Sequence, residues 1–212
     1  MIVIIDYKMG NIKSVQHALD YLGYKVQISN NPEVIKEARG LILPGVGAFC
    51  DAIKVLKDKK LDVVIKQMVG KGMPFLGICL GMQLLFSYSE ENGLYKGLDL
   101  IPGKVVRFPE KMRVPHLGWN QIQFFPDANN CSRSLFSDIK NNSYFYFLHS
   151  YYCIPDNEDI ILTKTYYENN FASAVCIENI FGVQFHPEKS SLQGLSLLKK
   201  FGEICNADYS GY

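Results

Sequence analysis

Cys79 is the residue whose setting points to chemistry. It closes the apolar run Phe75-Leu76-Gly77-Ile78 that opens after Pro74, and Gly77 and Gly81 stand two residues to either side of it. A run of that length reads as a buried strand, and Leu84, Leu85 and Phe86 carry the apolar content into a segment long enough for a helix. A strand that turns straight into a helix at a nucleophile, with glycines where bulkier neighbours would clash, is the layout of a nucleophile elbow. Such a turn lifts the sulfur into a cleft beside a helix N-terminus, whose dipole and free N–H groups favour thiolate and hold an oxyanion. The plainer alternative is a buried structural cysteine between two incidental glycines.

A thiol nucleophile needs a base, and the chain has four histidines: His17, His116, His149 and His186. His17 falls inside an amphipathic helical pattern, where surface or packing roles predominate. His186 ends the strand-like run Gly182-Val183-Gln184-Phe185 just before Pro187. In extended chain, residues i and i+2 share a face, so Glu188 is placed to orient one ring nitrogen of His186 while the other faces Cys79. The other cysteines (Cys50, Cys131, Cys153, Cys176 and Cys205) form neither a CxxC pair nor a Cys/His metal spacing. No metal and no organic cofactor is implied.

The elements that must position these groups follow from the apolar pattern. Ile2 to Ile5 reads as a central strand, followed by a loop over 6–11 and a helix over 12–22 that Gly23 stops. Strands follow over 24–29 and 40–43, the second running into Pro44-Gly45-Val46-Gly47. Helical spacing then resumes through about residue 69, broken near 58–60. Strand, helix, strand at these lengths means a parallel sheet, here a three-layer α/β, flavodoxin-like fold. The loops at Asp6, Pro44 and Cys79 all fall at its carboxyl edge, where such sheets bind ligands. Past Gly97 the chain turns β-rich, with short runs over 104–108, 120–125, 144–148, 160–166, 173–177 and 181–185, and a last helix over about 191–204. The polar stretch 127–142 is expected to be a mobile loop, and no role attaches to the tail 205–212.

The 212 residues suit one domain over 1–212, and 48% hydrophobic against 20% charged residues excludes disorder. With 22 basic and 21 acidic residues, nothing calls for a nucleic-acid or membrane partner. The N-terminus lacks the basic region of a signal peptide and no apolar run spans a bilayer, so a cytoplasmic location is expected.

Three segments, Pro44-Gly45-Val46-Gly47, Gly77-Ile78-Cys79-Leu80-Gly81-Met82-Gln83 and Gly182-Val183-Gln184-Phe185-His186-Pro187-Glu188, resemble the signature blocks of class I (triad-type) glutamine amidotransferases. Asp6-Tyr7 with Gly10-Asn11, Val114-Pro115-His116 with Gly118-Trp119-Asn120, and His149-Ser150-Tyr151 resemble one branch, the glutaminase subunit of imidazole glycerol phosphate synthase. Met82, where several other branches carry histidine, favours the same branch. The resemblance implies that Cys79 attacks the carboxamide of L-glutamine, with His186 as base and Glu188 orienting it. It implies an oxyanion held by the N–H of Leu80 and one from Val46 or Gly47, and glutamine's α-amino and α-carboxylate ends held by Gln83 and the backbone around Ser150 and Tyr151. It also implies a heterodimer with a TIM-barrel cyclase that uses the ammonia in histidine biosynthesis, with Asn11, His116, Trp119 and Asn120 at the interface. Core packing of Trp119 is the alternative there. One residue departs from the pattern: Lys8 stands where the family has glycine, and lysine cannot copy a φ > 0 glycine without strain. That leaves the partner open to a paralogue serving amino-sugar and surface-polysaccharide synthesis. Other classes compatible with the chemistry are a cysteine peptidase or γ-glutamyl hydrolase, and a non-catalytic interaction subunit.

Overall fold

Ile2–Ile5 (β1) is buried along its whole length, and its side chains alternate between two separate cores. Val3 and Ile5 pack with one set of helices, Ile2 and Ile4 with another, as the period-2 geometry of a strand covered on both faces requires. The computed structural model describes residues 1–125 and 135–207. On one side of the sheet lie α1 (Ile12–Tyr21) and the last helix, which presents Leu197, Leu198 and Phe201 to the core. On the other lie α2 (Pro32–Lys36), α3 (Phe49–Asp58) and α4 (Leu61–Val69), with Ile35, Leu56, Ile65 and Met68 buried. The break between α3 and α4 falls at Lys60, which sits at φ 55, inside the expected interval.

Among the described residues the main sheet has eight strands. Its parallel half runs β2 (Val26–Ser29), β1, β3 (Gly40–Gly45) and β4 (Phe75–Cys79), and is completed by β14 (Ile180–Val183), which pairs with β4 in parallel. Three antiparallel strands extend it: β13 (Asn169–Ile177), β12 (Ile161–Tyr167) and the short β9 (Gln123–Phe124). The α/β, mostly parallel expectation holds, but part of the β-rich second half is the continuation of the central sheet. The rest forms two smaller sheets. One joins β5 (Phe86–Ser89), β6 (Tyr95–Lys96), β7 (Ile101–Arg107) and β11 (Tyr151–Pro155); the other is the antiparallel pair β8 (His116–Gln121) and β10 (Tyr144–His149).

The helix expected after Cys79 is much shorter than its apolar content suggests. α5 covers only Leu80–Gln83, and Phe86 already belongs to β5. The carbonyls of Leu84 and Leu85 accept from the backbone N–H groups of Leu98, Leu100 and Ile101, which draws the chain into sheet pairing before a second helical turn can form. The apolar run Leu84-Leu85-Phe86 is therefore core around a bend. The last helix, α6 (Ser191–Asn206), appears where its periodicity places it. Half of the polar stretch 127–142 and the end of the tail, within residues 126–134 and 208–212, lie outside the described residues. Among the described residues no helix is long and apolar enough to cross a membrane.

Candidate active site

Cys79 has φ 55 and ψ −111, a backbone conformation that non-glycine residues rarely hold and that stores about 1–3 kcal/mol of strain. Two neighbours make the turn sterically feasible. A Cβ on Gly77 would come within 2.6 Å of the Gly81 carbonyl oxygen, and a Cβ on Gly81 would fall on the Leu43 carbonyl oxygen of β3. Strand β4, the turn and α5 are thus packed backbone to backbone, and the sulfur emerges at the carboxyl end of the parallel sheet. Leu80, the first residue of α5, carries an N–H with no intrahelical acceptor.

Strand β14 pairs with β4 and brings His186 to the same edge. The His186 N–H donates to the Tyr146 carbonyl at 2.9 Å, and Ser190 Oγ donates to the His186 carbonyl at 2.6 Å. With the backbone fixed, the ring is set by Glu188, whose Oε1 lies 2.9 Å from His186 Nδ1; both side chains are within 2% of full burial. Among the described residues Nε2 has no oxygen or nitrogen partner and is left to the Cys79 sulfur. Burial alone would lower the imidazole pKa, but Cys79 and Glu188 together outweigh it and push it up to about 10. The Glu188 carboxylate thus stabilises the imidazolium that forms when His186 takes a proton.

A cavity of about 270 Å³ opens in front of the sulfur. Its walls include Val46, Gly47, Leu80, Gln83, Ser150 and Tyr151, so the predicted oxyanion and substrate residues lie together around Cys79. Gln83 Nε2 donates to the Tyr151 carbonyl at 3.0 Å, which ties α5 to β11. Pro115, Leu148 and His149 also line it.

Two residues of the site were not anticipated. Glu91 lines the cavity and its Oε2 accepts from the Phe49 N–H at 2.7 Å, at the start of α3. Burial raises its carboxyl pKa, the Phe49 bond lowers it and Asp51 raises it, for a net upward shift. In the sequence it sits in the plain polar loop Glu90-Glu91-Asn92, with no spacing to mark it. Tyr7 is fully buried and its hydroxyl donates to the Pro44 carbonyl at 2.8 Å, linking the loop after β1 to the end of β3.

The four residues expected at an interface are placed differently from one another. Trp119 is 52% exposed and Leu117 60%, on the outer face of the β8–β10 pair, so Trp119 is not a core residue. Asn120 lies on the opposite face of β8 and bonds inward, to His116 and to the Tyr166 carbonyl. His116 is not at the surface: it is 3% exposed, stacked between Phe147 and Tyr167. Its imidazole meets aromatic rings because it alternates inward with Gly118 and Asn120, so any part it has at a partner face passes through Asn120. Asn11 precedes α1, and its carbonyl accepts from Ser14 and Val15. Lys8 does adopt the glycine-like conformation, at φ 70, with its N–H on Asp6 Oδ1 and its ammonium 3.3 Å from Asp6 Oδ2. The Asp6 side chain supports the strained turn from outside, and the triad is untouched.

The chain matches known proteins over nearly its whole length. The family model for glutamine amidotransferase class-I matches residues 3–204. The chain is 52% identical over 204 residues to the imidazole glycerol phosphate synthase subunit HisH of Moorella thermoacetica, covering 96% of this chain and 94% of that one. It is 45% identical over 200 residues to the HisH subunit of Aquifex aeolicus, covering 94% of each. A glutamine amidotransferase crystal structure from Thermotoga maritima superposes with a TM-score of 0.69 at 13% identity, over 97% of this chain and 98% of that one, which bears on the fold alone. The chain belongs to the class I glutamine amidotransferases.

Proposed function

We propose that this protein is the glutaminase subunit of an imidazole glycerol phosphate synthase, releasing ammonia from L-glutamine for histidine biosynthesis. The observation that carries the chemistry is Cys79 on its strained elbow, facing His186 that is oriented by Glu188, at the wall of a cavity holding Gln83 and the Val46–Gly47 loop. The relatives that share up to about half of its residues, and bear the name of that subunit, support the pathway.

His186 takes the thiol proton and the sulfur attacks the carboxamide carbon. The oxyanion is held by the N–H of Leu80 and one from Val46 or Gly47. The imidazolium, stabilised by Glu188, returns its proton to the leaving nitrogen, and ammonia departs as the γ-glutamyl thioester forms. Water, deprotonated by the same imidazole, then attacks the thioester and releases glutamate, restoring the thiol. Both N–H groups of Gln83 that the fold uses point at Tyr151 and Gln184, so its oxygen is left for substrate. That oxygen and the Glu91 carboxylate suit the α-ammonium of glutamine, and the backbone of Ser150 and Tyr151 suits its α-carboxylate.

Ammonia is useful only where an acceptor is sheltered from water, so the protein works in the cytoplasm as a heterodimer with a TIM-barrel cyclase. The exposed Trp119 and Leu117 give that partner an apolar anchor, and Asn11 is proposed as a further contact. The test is ammonia release from glutamine by the purified chain, alone and with the cyclase loaded with its ligand. A large rise on adding the loaded cyclase supports the assignment. Turnover indifferent to the cyclase keeps the glutaminase chemistry and overturns the histidine assignment.

A further inference from the structure

Gln184 is fully buried, so the polar atoms of its amide need partners inside the protein. Its polar atoms have two partners. Gln83 Nε2 lies 3.2 Å from Gln184 Oε1, and Gln184 Nε2 lies 3.7 Å from Cys79 Sγ. The direction of these bonds is settled by a backbone carbonyl, which can only accept. The Tyr151 carbonyl lies 3.0 Å from Gln83 Nε2, so that side of the Gln83 amide must be its NH₂. The second N–H then requires an acceptor at Gln184, which turns the Gln184 NH₂ toward the sulfur. Flipping either amide sets donor against donor or acceptor against acceptor.

The same carbonyl fixes a second branch. His149 Nδ1 lies 2.8 Å from the Tyr151 oxygen and must carry a proton, so His149 Nε2 is an acceptor. It lies 3.0 Å from His116 Nδ1, which must therefore donate, leaving His116 Nε2 to accept from Asn120 Nδ2 at 3.2 Å. The far end agrees independently. Asn120 Nδ2 also lies 2.9 Å from the Tyr166 carbonyl, while its Oδ1 accepts from the Gln121 N–H at 2.8 Å. Two carbonyls at opposite ends impose the same orientation, so the network has one proton arrangement and no conflict. Burial among Phe108, Phe147, Phe171 and Tyr167 lowers both imidazole pKa values, to about 4 for His116 and about 3 for His149, which keeps the two rings in the neutral form this arrangement needs.

We infer that Gln184 is a further catalytic residue, a fixed N–H donor to the Cys79 sulfur, and that His149, His116 and Asn120 are positioning residues that hold its orientation through the Tyr151 carbonyl and Gln83. The sulfur also faces the Leu148 carbonyl at 3.8 Å, which suits a thiol S–H but repels a thiolate. The Gln184 N–H offsets that repulsion once the proton has gone to His186. The inference rests on Cys79 being the nucleophile.

The test compares the chain with Gln184→Met, following iodoacetamide alkylation of Cys79 by peptide mapping at pH 7. Loss of a donor to the reacting sulfur should slow alkylation by roughly tenfold. Equal rates at pH 7 overturn the role. A second measurement needs no variant: imidazole ¹⁵N shifts should show His116 and His149 as Nδ1–H tautomers that do not titrate between pH 5.5 and 8. An Nε2–H tautomer, or titration in that range, overturns the chain of donors. Neither readout uses glutamine, so an absence of ammonia release would remove the proposed function while alkylation still decides the role of Gln184.

Discussion

Removing one oxygen from the buried phenol of Tyr7 isolates a contact that ties the loop after β1 to the end of β3. Tyr7→Phe keeps the ring and its packing, and deletes only the 2.8 Å bond to the Pro44 carbonyl. A buried neutral hydrogen bond contributes about 1 kcal/mol net, and leaving the carbonyl unpaired raises the loss to about 1–2 kcal/mol. For a chain of this size that lowers the melting temperature by a few degrees, at about 2–4 °C per kcal/mol. Burial raises the phenol pKa, with a further push from Cys79, so the hydroxyl is a neutral donor throughout the working range and the loss should not vary between pH 6 and 9. Pro44 leads directly into the Val46–Gly47 loop proposed to hold the oxyanion. If the whole stabilisation is expressed at the transition state, kcat falls by at most about 30-fold, since 1.4 kcal/mol is a factor of ten. The assay pairs urea unfolding at three pH values with ammonia release in the presence of the cyclase. A stability loss near the estimate with a kcat loss below that ceiling supports the contact as a loop tether. An unchanged unfolding midpoint, or a kcat loss beyond about a thousandfold, would refute the reasoning.

Three further outcomes follow from particular contacts. Gly81→Ala places a methyl on the Leu43 carbonyl, so the elbow or β3 must move; a loss of about 3 kcal/mol or more in denaturant unfolding, with little soluble activity, is expected. Glu91→Gln removes the carboxylate suited to the substrate ammonium while keeping an oxygen for the Phe49 N–H, so KM for glutamine should rise about tenfold or more with a much smaller change in kcat; an effect confined to kcat contradicts that role. Acid should destabilise the fold above the range of ordinary carboxylates. The unfolded chain protonates His116 and His149 near pH 6.5, whereas the fold keeps them neutral to about 4 and about 3, so stability is full above pH 6.5 and falls as pH drops toward 5. Each contributes ~1.4 kcal/mol per pH unit once its unfolded form is charged. His186, with a raised folded pKa, is charged in both states below pH 6.5 and adds no slope there. Urea midpoints that stay flat from pH 7 to 5 contradict this.

Much of the fold was readable because burial and period agree. The four-residue apolar runs of β1 and β4, the helical spacing of α1 and α6, and the interruption at Lys60 all carry local signals strong enough to survive folding. The one-turn α5 was not readable, since the groups that capture the Leu84 and Leu85 carbonyls lie more than ten residues downstream. The inner strand β5 and the edge strands β6 and β11 escaped for a related reason: their pairing is set by tertiary contacts and not by a local alternation. At the site, Cys79 could be placed from a turn signature; His186 and Glu188 do meet, but through the 3-10 turn Pro187–Lys189 and not through the extended i, i+2 geometry expected. Glu91, Tyr7 and Gln184 could not be placed, because each acts through a partner distant in sequence. The resemblance puts His116 at a partner interface, whereas the pairing of β8 with β10 turns its ring into the aromatic core.

The central claim is that Cys79 carries the acyl group during turnover. The most direct measurement quenches the protein with acid while it turns over glutamine beside the loaded cyclase, then maps the peptides by mass. The account predicts a γ-glutamyl thioester on the peptide containing Cys79, absent from Cys79→Ala, which should release no ammonia. Ammonia release that persists in Cys79→Ala, or an acyl group carried on Cys50 or another cysteine instead, would contradict it.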